Sequence, residues 1–198
     1  MYKRQGINLF YYLHAETQPD RIEIRLRQIG CKAISGFIYA KSRPRSSASC
    51  QFKTDICFGL PEVVSYNIYP LWYHDTPVQD YLKSLYDWVQ EESEGAGKPF
   101  LITETGAGAI YGCRTPSRVK WSEEYQAYAI EKQLEAVFGQ EGCSGVYLWQ
   151  FCDCNVCDSW FGGRPRTMNN KGIVDEYRRP KLAYETVKRM FGSVDTYF

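Results

Sequence analysis

One carboxylate stands where an expected strand gives way to a loop. Glu104 follows the apolar run of residues 100–102, and Gly106 and Gly108 come soon after it. A short apolar run bounded by turn residues is typical of a buried strand, and Pro99 suits the first position of one. In an α/β barrel, catalytic groups stand at the carboxyl ends of the strands. Glu104 is therefore a candidate catalytic carboxylate, although a Glu that caps or pairs with the next helix has the same sequence signature.

Polar and aromatic side chains also follow the other expected strands. Because the carboxyl ends of parallel strands meet at one edge of a sheet, we expect these side chains to share a pocket with Glu104. A carboxylate beside phenol hydroxyls, an indole face and an ammonium suits the binding and cleavage of a sugar glycoside. Taken singly, each residue has a structural explanation as a packed ring or a solvated loop cation. The predicted substrate-binding residues are Asn67, Tyr69, Tyr73, Trp149, Asn169 and Lys171.

The elements that would position these side chains alternate between strand and helix. Helices are indicated by apolar residues at helical spacing, with Thr76 and Pro77 as a cap-then-Pro start for the first and Ser122 as the N-cap of the second. Such alternation predicts an α/β fold with a parallel sheet, either a small open sheet or half of an eight-stranded barrel. The predicted strands span residues 45–52, 62–69, 100–103 and 145–151, and the predicted helices span 78–92, 122–138 and 181–191, with a long polar loop over 153–170.

Composition excludes several classes of function. A net charge of +1 gives no reason to expect a nucleic acid or an anionic membrane as partner. Residues 1–44 are basic and lack a sustained helix or strand period, so we interpret them as a segment not native to the fold, with an RNA-binding arm as the alternative. The apolar run at residues 7–13 is too short for a membrane helix, and no leader cleavage site follows it.

The eight cysteines do not reach the density of a disulfide scaffold. Cys154 and Cys157 form a C-x-x-C beside Cys152, but no second pair or nearby His completes a zinc site. We therefore expect no metal and no cofactor, with reduced thiols that indicate a cytoplasmic protein. A metal- or redox-responsive protein built on this cluster stays open as a weaker alternative.

Several motifs, in order and at matching spacing, cover residues 43–191 of the chain. Together they closely resemble the C-terminal half of the catalytic barrel of glycoside hydrolase family 2, especially its β-glucuronidases. The resemblance implies a partial (β/α)8 TIM barrel over residues 45–198 that holds strands five to eight, and homo-oligomeric full-length members. The motifs are SYNIYPLWY at 65–73, ITETG at 102–106, WSEEYQ at 121–126, VYLWQF at 146–151, NNKG at 169–172 and RPK at 179–181.

For Glu104, the resemblance implies the nucleophile of a retaining exo-β-glycosidase. A retaining mechanism needs a second carboxyl about 5–5.5 Å away as acid/base. In the family this residue belongs to an Asn-Glu pair on the fourth barrel strand, and the sequence contains no Asn-Glu dipeptide. We therefore expect a fragment that is inactive alone because it lacks the acid/base Glu.

The resemblance also assigns the surrounding residues. Tyr69 and Tyr73 match positions that hydrogen-bond around the nucleophile and the sugar, and Trp149 matches the floor of the sugar subsite. Asn169 and Lys171 match the pair that binds the C6 carboxylate of a glucuronide, since a uronate anion needs a cation and a neutral donor. A β-galactosidase of the same family and a non-catalytic carbohydrate-binding module remain the alternatives.

Overall fold

A four-stranded parallel sheet forms the centre of the part of the chain that the computed structural model describes, residues 46–194. The segment 1–44 and the prediction made for it lie outside the described residues. Within residues 46–194, no helix combines the length and the apolar character that a membrane span requires. The strands are β1 (Ser46–Ser49), β2 (Val63–Asn67), β3 (Phe100–Thr105) and β4 (Cys143–Leu148), and they lie side by side in chain order.

Helices connect and follow these strands. α1 (Val78–Glu91) lies between β2 and β3, α2 (Glu123–Gly139) between β3 and β4, and α3 (Leu182–Gly192) after β4. The succession confirms the predicted α/β class, and four parallel strands with their helices fit part of an α/β barrel.

The starts of the helices agree with the sequence in one case and differ in another. Ser122 caps α2 as predicted, because its hydroxyl accepts a hydrogen bond from the amide of Tyr125 at 3.1 Å. The predicted cap by Thr76 is wrong: α1 begins at Val78, Pro77 occupies the cap position, and no side chain caps this end.

The main core lies between the sheet and α1. The α1 residues predicted to face inward, Leu82, Leu85 and Val89, are fully buried against Phe100 and Ile102 of β3. A second apolar cluster joins α2 to α3. It contains Ile130, Leu134, Ile173, Val174, Ala183 and Met190.

Some apolar side chains at the predicted helix and strand positions are exposed. Tyr147 of β4 is 63% exposed, and β4 is the last strand of the described sheet. Phe138 and Phe191, which helical spacing places on the apolar faces of their helices, are exposed and pack edge-to-face on each other at 5.6 Å between ring centroids. The inward face of α2 contains apolar residues at that spacing together with polar ones, namely Ile130, Leu134, Val137, Glu123, Gln126 and Gln133.

The predicted loop over residues 153–170 contains regular structure. β5 (Cys154–Asn155) and β6 (Met168–Asn169) pair as a short antiparallel ribbon, with two 3₁₀ helices at Asp158–Gly163 and Pro165–Thr167 between them. This ribbon delivers Asn169 and the adjoining residues to the carboxyl end of the sheet.

Candidate active site

Glu104 lies next to the end of β3, opposite Asn67 at the end of β2. The hydroxyl of Tyr69 donates a hydrogen bond to Glu104 Oε2 at 2.7 Å. Thr103 donates its hydroxyl proton to Asn67 Oδ1 at 2.8 Å, which orients the Asn67 amide at the same strand ends. Tyr69 and Asn67, which the sequence predicted to be neighbours of Glu104, therefore hold its carboxylate at the ends of β2 and β3.

The environment of Glu104 changes its proton affinity. Desolvation raises the pKa of the Glu104 carboxyl, and this effect outweighs the hydrogen bonds from Tyr69 and Asn67 and the charge of Lys171, which lower it. Burial and the Glu104 charge raise the pKa of the Tyr69 phenol, so Tyr69 stays a hydrogen-bond donor. Glu104 is thus a partly desolvated carboxyl group whose charged form is stabilised by Tyr69, Asn67 and Lys171.

Lys171 supplies a cation beside this carboxylate. The residue is only 3% exposed, and its ammonium donates a hydrogen bond to the hydroxyl of Tyr73 at 2.9 Å. Desolvation lowers the pKa of Lys171, although the Tyr73 hydroxyl and the Glu104 charge oppose the shift. Among residues 46–194, no Asp or Glu forms an ion pair with Lys171. A buried ammonium in this state favours an incoming anion.

Aromatic rings surround the Lys171 ammonium. Its Nζ lies 5.0 Å from the ring centroid of Tyr69, 5.6 Å from that of Trp72 and 4.9 Å from that of Tyr73. Trp72 is buried and meets Trp121 edge-on at 4.9 Å between centroids. Rings at such distances attract a cation through their negative faces. The three rings thus hold the ammonium in place on several sides.

Trp149 and Asn169 join the site in different ways. Trp149 is half-buried, and its backbone amide donates to the carbonyl of Thr105 at 2.8 Å, directly after Glu104. Asn169 accepts a hydrogen bond at its side-chain oxygen from the amide of Lys171 at 3.3 Å. All seven predicted residues thus stand at the carboxyl end of the sheet. Their roles toward a sugar remain predictions.

Sequence reasoning missed other contributors to this site. Arg164 donates a hydrogen bond to the Tyr73 hydroxyl at 3.2 Å, so Tyr73 accepts from two cations. Arg164 lies in the loop that was expected to be irregular, and nothing in its local pattern distinguishes it from a solvated cation. Trp72 lies within the motif at residues 65–73, but the periodicity of helices and strands does not predict which residue an aromatic side chain in a loop contacts.

Two buried glutamines brace the loops of the site. Gln133 donates to the carbonyls of Pro70 and Gly106, at 2.8 and 3.2 Å. Gln126 donates to the carbonyls of Ala107 and Gly172, at 2.9 and 3.0 Å. Each glutamine thereby ties the loop after β3 to a second loop of the site.

The cysteine cluster shows no cation site. Within residues 46–194, no three His, Cys, Asp or Glu side chains converge as metal ligands. Cys152, Cys154 and Cys157 are free thiols. Gln150 Nε2 lies 3.4 Å from the sulfur of Cys154, and Ser159 Oγ lies 3.1 Å from that of Cys157.

Four parallel strands with their helices, and with a carboxylate, phenols and an ammonium at the carboxyl end of the sheet, have the arrangement of part of an α/β barrel. The chain belongs to the family described as glycosyl hydrolases family 2, TIM barrel domain, which residues 43–196 match. This confirms the resemblance drawn from the motifs.

Individual relatives are glycosidases. The chain is 77% identical to a structure titled a GH2 β-galacturonidase from Eisenbergiella tayi bound to galacturonate, with a TM-score of 0.77 over 79% of this chain and 28% of that one. It is 26% identical over 137 residues to a β-glucuronidase of Paenibacillus borealis, covering 69% of this chain and 22% of that protein. It is 32% identical over 143 residues to the β-glucuronidase of Mus musculus, covering 66% of this chain and 20% of that protein. The chain spans about a fifth of the length of these curated relatives.

Proposed function

We propose that this chain carries the nucleophile half of the active site of a retaining exo-β-glycosidase that releases terminal β-linked uronic acids. The observation that carries the proposal is the caged ammonium of Lys171, buried beside the Glu104 carboxylate without a described acidic partner. A buried cation of this kind suits the C6 carboxylate of a uronide and gives a neutral hexoside no equivalent contact.

Glu104 would attack the anomeric carbon and form a covalent glycosyl ester as the glycosidic bond breaks. The Tyr69 hydrogen bond holds the attacking carboxylate in one orientation. The leaving oxygen needs a proton from a second carboxyl about 5–5.5 Å from the nucleophile. The Asn-Glu dipeptide in which the family places that acid does not occur in the 198 residues. We therefore expect the chain by itself to turn over alkyl and aryl glycosides negligibly.

The choice of uronide rests on the relatives. The motifs alone favoured a β-glucuronide, and β-glucuronidases are among the matches. The 77% identity to the Eisenbergiella tayi β-galacturonidase supports a β-galacturonide more strongly. Both sugars carry the C6 carboxylate that Lys171 would bind, and they differ in configuration at C4. We propose β-galacturonide as the preferred substrate and β-glucuronide as the second candidate.

Binding and covalent labelling test the proposal on the 198-residue chain. We expect tighter binding of methyl β-galacturonide than of methyl β-galactoside by NMR titration, and a loss of this preference in Lys171→Met. A 2-fluoro galacturonyl fluoride needs little protonation of its leaving group, so it should label Glu104 slowly. Mass spectrometry of the peptide that contains residue 104 detects the label, and Glu104→Gln serves as the unlabelled control.

Three results would contradict parts of the proposal. Rapid hydrolysis of p-nitrophenyl β-galacturonide by this chain would refute the expectation that it lacks the acid/base carboxyl. Equal binding of the uronide and the neutral glycoside would refute the uronate specificity. Sugar binding without labelling, unaltered in Glu104→Gln, would indicate a non-catalytic carbohydrate-binding module.

A further inference from the structure

Behind the caged ammonium lies a second buried lysine. Lys181 is 2% exposed and Asp153 is 3% exposed, and 2.8 Å separates Lys181 Nζ from Asp153 Oδ2. The glycosidase mechanism proposed above gives neither residue a task. Both side chains are fully enclosed, so neither can contact a substrate directly.

The Lys181 ammonium uses all three of its donors on fixed acceptors. It donates to Asp153 Oδ1 at 2.8 Å, to the carbonyl of Ala109 at 2.6 Å and to the carbonyl of Asn170 at 3.1 Å. Ala109 belongs to the loop after β3, the strand that carries Glu104. One ammonium therefore joins the loop of the expected nucleophile to the loop of the expected uronate-binding cation.

Asp153 completes the contact on the other side. Its Oδ1 accepts a hydrogen bond from the amide of Gly172 at 2.8 Å. Lys181 thus holds residue 170 and Asp153 holds residue 172, so the ion pair grips the backbone on both sides of Lys171. Buried hydrogen-bond networks of this kind rigidify the groups they contact.

We propose that Asp153 and Lys181 are positioning residues that set the place of the Lys171 ammonium and thereby the preference for a uronide over a neutral glycoside. The inference rests on the proposed function, because it assigns the ion pair to the uronate-binding half of that site. The pair acts through Lys171 and touches no substrate.

The test compares the double variant Asp153→Asn/Lys181→Met with a matched control. The variant removes the ammonium and neutralises its partner while keeping similar volumes. The control is Asp175→Asn/Arg179→Met, which removes a neighbouring ion pair whose carboxylate is also buried. Asp175 accepts hydrogen bonds from the amides of Tyr177 and Arg179 and from the Arg179 side chain, and none of these bonds reaches Asn170 or Gly172.

The first readout is binding of methyl β-galacturonide and methyl β-galactoside to the full 198-residue chain. We expect the variant to lose about tenfold in uronide affinity, as for a displaced charged contact, while its affinity for the neutral glycoside changes little. The control should keep the preference within about twofold. A general loss of structure would lower the affinities for both sugars together and would leave their ratio unchanged. An unchanged preference for the uronide in the variant overturns the inference.

The second readout does not need a sugar. Reductive methylation with labelled formaldehyde reports how often the Lys171 amine becomes accessible, and the exposed Lys188 provides the internal reference. Methylation of Lys171 should be about tenfold faster in the variant than in the wild type, because its loop opens locally. If the wild type shows no uronide preference, the proposed function fails, whereas an unchanged methylation rate in the variant overturns the positioning inference.

A conservative substitution covers the case in which the double variant does not fold. Lys181→Arg keeps the charge and the pairing with Asp153, but its planar fork cannot reproduce the three contacts of the ammonium. We expect Lys181→Arg to fold, to methylate faster at Lys171 and to bind the uronide less tightly. Wild-type behaviour of Lys181→Arg in both readouts counts against the inference.

Discussion

The hydroxyl of Tyr69 donates to Glu104 Oε2 at 2.7 Å, across the carboxyl ends of β2 and β3. The bond connects a residue that follows one strand to a carboxylate near the end of the next. Because the phenol donates to the ionised carboxyl, it stabilises the charged form in which Glu104 can act as a nucleophile.

Removing this bond should make Glu104 harder to ionise. Desolvation already holds the pKa of Glu104 above its ordinary value of 4.5, and the Tyr69 hydrogen bond opposes that shift. In Tyr69→Phe, the pKa of Glu104 should therefore rise further, and the nucleophilic carboxylate should form only at higher pH. Carbon-detected NMR titration of the Glu104 carboxyl measures this. Tyr86→Phe is the control, since Tyr86 packs on Phe100 at the other end of β3.

Lys171 should lower the pKa of the Tyr73 phenol. Desolvation raises the pKa of Tyr73, but the hydrogen bonds and charges of Lys171 and Arg164 outweigh it and hold the pKa below 10.0. Lys171→Met should raise this pKa, and Arg164→Met should raise it less. The titration uses carbon-labelled tyrosine. Lys120→Met is the matched control, because Lys120 binds the carbonyl of Trp72 rather than a phenol. An unchanged Tyr73 pKa in Lys171→Met would contradict the contact.

The order of strands and helices and the neighbours of Glu104 were predictable from local patterns. Apolar periods position β2, β3 and α1, and parallel strands bring their carboxyl ends together whatever the loops do. Tyr69 lies two residues beyond β2, so its contact with Glu104 follows from strand adjacency. The Ser122 cap was predictable because it joins two residues only three positions apart, Ser122 and Tyr125.

The buried ion pair was not predictable in this way. Lys181 and Asp153 are 28 residues apart, and Lys181 reaches the carbonyl of Ala109 from 72 residues away. A lysine beside a proline has the sequence appearance of a solvated loop cation. Only the folded chain brings Ala109, Asp153 and Asn170 around its ammonium. The same limit explains Arg164, whose contact with Tyr73 spans 91 residues.

Gly106 should tolerate no side chain. A Cβ built there would lie 2.4 Å from the carbonyl oxygen of Trp149, and a backbone oxygen cannot move aside without shifting the end of β4. We expect Gly106→Ala to lower the free energy of unfolding by about 1–3 kcal/mol, as for other overpacked sites. Urea unfolding measures the loss. Gly139→Ala is the control, since a Cβ at this end of α2 meets nothing within 4 Å and should change stability by less than about 1 kcal/mol. Equal stability of the two variants would refute the close approach.

Lys181→Met should be the most destabilising of these changes, because it leaves the Asp153 carboxylate buried without its cation. Breaking a buried ion pair from one side costs about 3–5 kcal/mol. Desolvation raises the pKa of Asp153 to about 6 even with Lys181 opposing the shift, and without Lys181 the pKa should rise further. A raised carboxyl pKa means that the folded state binds the proton more tightly than the unfolded state does.

The stability lost in Lys181→Met should therefore depend on pH. Folded Asp153 is raised to a pKa of about 6 in the wild type, so the wild type loses stability between about pH 4 and 6 as the unfolded chain ionises first, and the fall ends near pH 6. In Lys181→Met the fall should continue above pH 6, so the loss relative to the wild type should be nearly constant from about pH 4 to 6 and should grow from about pH 6 to 8. Asp153→Asn/Lys181→Met has no carboxyl at residue 153, so its stability should not show this fall. Urea unfolding of both variants and the wild type from about pH 4 to 8 measures the difference. A loss in Lys181→Met that is independent of pH, or equal to that of the double variant, would show that Asp153 does not depend on Lys181 for its charge.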